Sequence, residues 1–295
     1  MQNQKGFRQM LAVRQKKTGS VVCVGLDPLP EKIPPHLVTG KSDMAIAMSI
    51  ADWMIGIVDG TASKASLFKP QKAYYEAFRH GDFALQRIIN HIRRVYPDIP
   101  TFLDAKRGDI GRTQERYRIA HFDIDGADGM NFSPYMGMDC MEGLVDKNNL
   151  GRAIVGLCYT SNPAAREVQD VIMSDGRAYW EFIAEKTMKW ADQLGIIENA
   201  GLVMAAAYEK KKGSGIHYYQ HLSRCREIVG NRLWFLIPGI GTQGGVVEQT
   251  MLASFTEPGS TAINSSSDIN FASQGKDFRE AAGEKAKQLH LATRF

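Results

Sequence analysis

The chain has 295 residues, 44% of them hydrophobic and 23% charged, which suits a packed core and excludes a disordered or fibrous protein. Lys and Arg total 36 against 32 for Asp and Glu, a net charge of +4, and the densest basic run is only Lys210-Lys211-Lys212. That is too little for a nucleic-acid stripe, and the run reads as a solvated loop, with an anion-attracting lid as the second reading.

No stretch approaches 18 uninterrupted apolar residues and the N-terminal segment lacks a signal-peptide core, so neither a membrane span nor secretion is expected. The expected compartment is the cytoplasm. The four cysteines, Cys23, Cys140, Cys158 and Cys225, lie far apart without a C-x-x-C and read as reduced core residues.

Taken in order, eight short apolar runs read as strands: 21–26, 66–69, 101–104, 129–132, 153–158, 201–205, 233–237 and 262–264. Between them lie amphipathic stretches of about 10 to 18 residues with helical spacing, such as 44–58, 82–95, 178–194 and 218–229. Eight strands alternating with helices imply parallel pairing and right-handed crossovers, hence an α/β fold of the (β/α)₈ TIM-barrel type. The Gly- and Ser-rich patches are turn-sized, so residues 1–295 are expected to form a single domain. In such a barrel the informative residues are polar ones where a strand meets its following loop.

The first strand ends in Gly25-Leu26-Asp27-Pro28, putting a carboxylate on that rim. The second ends in Lys69-Pro70, where the proline forces extended backbone at the lysine; standing alone, Lys69 would pass for a surface residue. The third runs into Asp104-Ala-Lys106-Arg-Gly-Asp109-Ile-Gly-Arg-Thr113. Strand residues i and i+2 share a face, so Asp104 and Lys106 both point into the barrel mouth. Alternating signs make buried charge tolerable there, and the plain alternative is a structural ion-pair network.

The fifth strand ends in Tyr159-Thr160-Ser161-Asn162-Pro163, donors and acceptors able to read a polar ring, or simply an Asx turn. His217 and His221 are four apart, but without the Glu of H-E-x-x-H or a third ligand no metal site is expected. The seventh strand runs into Pro238-Gly239-Ile-Gly241-Thr-Gln243-Gly244-Gly245 and then a helical pattern, a geometry that binds phosphate. The same glycines match G-x-G-x-x-G, but about 50 residues remain and the next strand ends in Asn264 rather than an acid, which argues against a dinucleotide site. Asn264-Ser265-Ser266-Ser267-Asp268 ends the eighth strand beside that loop, as a shared phosphate site or a plain Ser-rich turn.

Together, Gly-Leu-Asp-Pro, Lys-Pro-Gln, Leu-Asp-Ala-Lys-Arg-Gly-Asp-Ile-Gly, Thr-Ser-Asn-Pro and Pro-Gly-x-Gly-x-Gln-Gly-Gly resemble the orotidine 5′-phosphate decarboxylase family. The likeness is closest to its longer bacterial subgroup and spans Asp27 to Ser267. It implies decarboxylation of orotidine 5′-phosphate to uridine 5′-phosphate without metal or cofactor, in a homodimer with shared active sites. The catalytic tetrad carries over onto Lys69, Asp104, Lys106 and Asp109. By the same resemblance Asp109 and Thr113 would reach into the partner's site, Asp27 would hold a ribose hydroxyl, and Thr160 and Ser161 would face the pyrimidine. Gln243 would take the phosphate with the backbone around Gly239, Gly241, Gly244, Ser266 and Ser267. One departure stands out: the subgroup usually has an Arg where this chain has Ser267, so the phosphate contact is expected to be weaker or supplied by Arg166 or the 210–212 lysines.

Two other readings are open. A related barrel uses the same Asp-x-Lys-x-x-Asp string with Mg²⁺ on sugar phosphates, and a degenerate barrel could bind a phosphate ligand without turnover.

Overall fold

The computed structural model describes residues 6–207, 219–239 and 244–295. Eight parallel strands run β1 Val22–Leu26, β2 Leu67–Pro70, β3 Phe102–Arg107, β4 Gly129–Phe132, β5 Ala153–Tyr159, β6 Gly201–Met204, β7 Trp234–Ile237 and β8 Thr261–Ser265. Their order is β2-β1-β8-β7-β6-β5-β4-β3. Isolated parallel bridges, Phe68 to Thr101 and Gln71 to Asp104, join β2 to β3 and bring the barrel nearly to closure.

The period-2 pattern of the strands divides the apolar residues into two cores. Cys23, Leu67, Phe102, Val155, Val203, Trp234 and Ala262 fill the barrel interior. Their alternates, such as Val22, Val24, Leu103, Met130 and Phe235, face outward into the layer under the helices. The Phe7–Thr18 helix, which precedes the first strand, plugs the end of the barrel away from the strand C-termini. Phe7 stacks on Trp234 with ring centroids 5.2 Å apart and meets Phe102 edge-on at 6.2 Å. The apolar Asp43–Thr61 helix buries Trp53, Met54, Ile57 and Val58 in the outer layer.

Several expectations are corrected. The third strand does not stop at Asp104 but continues to Arg107, through a register shift against β4. β2 carries on through Pro70, whose missing N–H is tolerated at a strand end. The repeat of strand and long helix is uneven: β4 is followed only by a short turn at Pro134–Met136 and the four-residue Asp139–Glu142 helix. Of the helix expected over 218–229, the structure gives Gln220–Val229, and Tyr218 lies outside the described residues. All four cysteines are buried and unbridged.

Candidate active site

At the C-terminal ends of the strands two cavities, of about 610 and 320 Å³, share a wall formed by Lys69, Asp104 and Pro238. Lys106, Asn131, Thr160 and Ser161 line the larger. Asp27, Gly239 and Ser265 to Ser267 line the smaller. A wider depression of about 1030 Å³ at the opposite end, beside Arg8 and Glu257, brings none of the expected residues together.

The charge string at the shared wall is built from neighbouring strands. Lys69 lies on β2, where only 3% of it is exposed, and its Nζ donates to Asp104 Oδ2 at 3.2 Å. Lys106 Nζ donates to the other oxygen, Oδ1, at 2.6 Å. Its side chain is 46% exposed against 10% for Asp104, so this ammonium reaches the anion from the open side. Burial works against the Lys69 charge, yet Asp104 and then Asp27 act the other way and leave its pKa above the ordinary lysine value. Burial also opposes ionisation of Asp104, but Lys69, Lys106 and a hydrogen bond from Asn131 bring its pKa down to about 2. Lys69 and Asp104 are therefore charged throughout the neutral range, and the carboxylate takes one lysine on each of its oxygens.

Asp27 sits at the end of β1, where Tyr75 Oη donates to the Leu26 carbonyl at 2.9 Å and fixes the strand terminus. Its Oδ1 is buried without a hydrogen-bond partner. Such an atom is costly unless a ligand donor meets it. Gly25 is needed beside it: a Cβ there would fall 1.9 Å from Ser266 Oγ, so only glycine lets the β8 end approach β1. Asn270 then ties the two ends together, donating from Nδ2 to the carbonyls of Gly25 at 3.0 Å and Ser266 at 2.8 Å.

On the far wall the Thr160 hydroxyl donates to Asn162 Oδ1 at 2.6 Å and accepts from Gln169 Nε2 at 2.9 Å. Gln169 also accepts from the Thr160 amide at 2.9 Å. Gly239 adopts φ +77° directly after the Ile237-Pro238 strand end, a left-handed turn that suits glycine. The helix expected after the glycine loop begins at Gly244 and runs to Ser254. Gly241 and Gln243 lie outside the described residues, as do the 210–212 lysines and His217. His221 is buried, with Nε2 on the Ala205 carbonyl at 2.6 Å and its ring 4.9 Å from Tyr159.

Two expected residues are not brought into either cavity. Asp109 is turned along its own backbone, with Oδ1 accepting from Ile110 N at 2.8 Å, and Thr113 is exposed on the Gly111–Arg118 helix. Arg166 lines neither cavity.

Asn131, Gln169 and Asn270 escape the sequence reading. Only Asn131 left a trace there, as a polar residue inside the otherwise apolar run Gly129-Met-Asn-Phe132. Gln169 and Asn270 sit on single-turn helices beyond the strand ends, where no pattern singles them out.

Comparison with known proteins gives the family and the fold. The model of the "Orotidine 5'-phosphate decarboxylase / HUMPS family" matches residues 20–282. Orotidine 5′-phosphate decarboxylase of Bordetella avium is 39% identical over 287 residues, 97% of each chain. That of Cupriavidus necator is 38% identical over 283 residues, 96% of this chain and 95% of its own. The structure of Leishmania donovani OMP decarboxylase superposes with a TM-score of 0.74 at 29% identity, covering 98% of both chains. With a family match over most of its length and full-length relatives well above 30% identity, the chain belongs to the orotidine 5′-phosphate decarboxylase / HUMPS family.

Proposed function

We propose that this carboxy-lyase converts orotidine 5′-phosphate to uridine 5′-phosphate and CO₂ in pyrimidine synthesis, with residues 1–295 acting as one barrel domain. The observation that carries the reading is the Lys69–Asp104–Lys106 string at the wall shared by the two cavities. Loss of CO₂ leaves a lone pair on a ring carbon with no conjugated sink. The developing charge must be met by a preorganised cation and then by a proton. Lys106 serves both needs, since its ammonium is held by Asp104 on the open side of the site. Asp104 would crowd the departing carboxylate and so raise the ground state. Lys69, deeper and on the other carboxylate oxygen, keeps Asp104 ionised.

The smaller cavity suits the ribose phosphate. The unmet Asp27 oxygen would accept from a ribose hydroxyl, and the Ser265 to Ser267 rim with Gly239, Gly241, Gln243 and Gly244 would face the phosphate. Thr160 and Ser161, on the larger cavity, would face the pyrimidine. Ser267 is exposed on that rim, where the resemblance implies an Arg, and Arg166 is not among the residues that line the smaller cavity. Among the described residues this rim offers the phosphate hydroxyl and amide donors. Ser267→Arg is expected to tighten inhibition by inorganic phosphate about tenfold, the size of one charge-assisted contact. An unchanged inhibition constant would remove Ser267 from the phosphate site.

The placement of Asp109 and Thr113 outside their own cavities supports a homodimer in which each completes the partner's site, with exposed Ile110 and Tyr135 available beside them. Complementation checks this. Asp109→Ala and Lys106→Ala, each inactive alone, are expected to regain about a quarter of wild-type activity when dissociated and reassociated in equal amounts, because half the dimers then hold one intact site. No recovery would mean that Asp109 acts within its own chain. The unbridged cysteines support a reducing, cytoplasmic setting.

The test of the activity is the ultraviolet spectrum of orotidine 5′-phosphate after addition of protein with EDTA present. Loss of the substrate spectrum with wild type, and none with Lys106→Ala, is the expected result. A reaction abolished by EDTA would favour the Mg²⁺-dependent sugar-phosphate reading, against which Lys69 stands, since its ammonium beside Asp104 would repel a metal. Binding of uridine 5′-phosphate without turnover would identify a sensor.

A further inference from the structure

The backbone at Lys106 is left-handed, with φ +45°, a conformation that residues with a long side chain avoid unless their surroundings hold them in it. The β3–β4 register shifts between Leu103 and Arg107, so the regular strand ladder does not serve this turn. One side chain takes its place. Asn131, 1% exposed on β4, accepts at Oδ1 from Ala105 N at 3.0 Å and from Lys106 N at 2.7 Å. Its Nδ2 donates to Asp104 Oδ1 at 2.7 Å, the same oxygen that receives Lys106 Nζ. Reversing the amide would set N–H against N–H and oxygen against carboxylate, so the chemistry fixes its orientation. The turn is also anchored beyond Lys106, where Arg107 Nε donates to His121 Nε2 at 3.0 Å and the Arg107 carbonyl accepts from Ser133 N at 2.7 Å.

We propose that Asn131 is a positioning residue for the decarboxylation: by holding three consecutive residues, 104 to 106, through one amide, it fixes the Lys106 ammonium against the reacting carbon. The inference rests on the decarboxylase reading above. Asn131 need not touch the ring to act. It sets the left-handed turn from which Lys106 projects and the rotamer of the carboxylate that holds Lys106. Removing it takes one residue from the wall of the larger cavity and lets the ammonium drift, while the Asp27, Gly239 and Ser265 to Ser267 lining and the Thr160 and Ser161 wall stay in place. Displacement of a reacting group by about 1 Å is enough to lose about 100-fold in rate.

The experiment compares wild type with Asn131→Ala and with Asn131→Asp, a same-sized variant that keeps the two backbone acceptor contacts but loses the donor to Asp104. For each, kcat and KM are measured with orotidine 5′-phosphate, affinity for uridine 5′-phosphate by calorimetry, and folding by thermal melting. The Ala variant is expected to lose about 100-fold or more in kcat with product affinity within about threefold, and the Asp variant at least about tenfold in kcat with the same retained affinity. A folded variant of either kind that keeps kcat within about threefold overturns the proposal. So does a parallel fall of kcat and product affinity, or failure of both variants to fold, since each assigns Asn131 to the fold alone. A wild-type protein without decarboxylase activity would instead overturn the reading on which the proposal stands.

Discussion

Lys106→Ala is expected to lower kcat by more than about 10⁴-fold while leaving affinity for uridine 5′-phosphate within about tenfold. Two effects multiply. Loss of a preorganised donor at a developing charge removes about 10²–10³ in rate. Loss of a positioned general acid removes a further 10²-fold or more, roughly, because water must then find the carbanion. The fold should tolerate the change: the side chain is nearly half exposed and, among the described residues, bonds only the Asp104 carboxylate, which keeps Lys69 and Asn131 as partners. Product affinity is the control, since uridine 5′-phosphate carries neither the carboxylate nor the carbanion and uses contacts remote from Lys106. Steady-state kinetics beside calorimetry of product binding decide the matter. A variant that keeps a tenth of wild-type turnover would remove Lys106 from the chemistry, and one that loses product binding in the same proportion would make it a binding residue.

The barrel was legible because its signal is distributed: eight apolar runs at regular spacing survive errors of one or two residues at each end. The charged string was legible for the opposite reason. Lys69, Asp104 and Lys106 stand on neighbouring strands, where side-chain direction is read from the strand period, and three alternating charges there have little other use. What the period could not give is how Lys106 reaches its place. The strand rule puts Asp104 and Lys106 on one face, but the backbone departs from the strand at Lys106, and the ammonium arrives through a left-handed turn held by a residue 25 positions away. Contacts across such separation carry no local pattern. Asn270, which ties β8 to β1, escaped for the same reason, since its partner Gly25 lies 245 positions earlier. Asp109 shows the complementary limit: its motif marks it, yet the single chain does not bring it to the site the motif implies.

Asp104→Asn is expected to destabilise the protein by about 3–5 kcal/mol at pH 7, the cost of leaving a buried charge without its counterion. Lys69 is that charge, 3% exposed and with its Nζ on Asp104 Oδ2. A neutral amide of the same shape fills the space but cannot balance the ammonium, so the loss is electrostatic rather than a cavity. The pH dependence gives the sign. The Asp104 pKa is lower in the folded chain, about 2 against an ordinary value of 3.8, so the ionised carboxylate favours the folded state. Its contribution is complete above the ordinary value and is lost as pH falls from about 4 towards 2. The gap in unfolding free energy between wild type and Asp104→Asn should therefore be constant from pH 7 down to about 4 and narrow below it, because protonated wild type and the variant then present the same neutral group to Lys69. Urea melts of both proteins across this range measure it. A gap that does not narrow below pH 4 would mean that Asp104 does not hold Lys69 through its charge. A variant as stable as wild type at pH 7 would mean that Asp27 alone suffices as the counterion of the buried lysine.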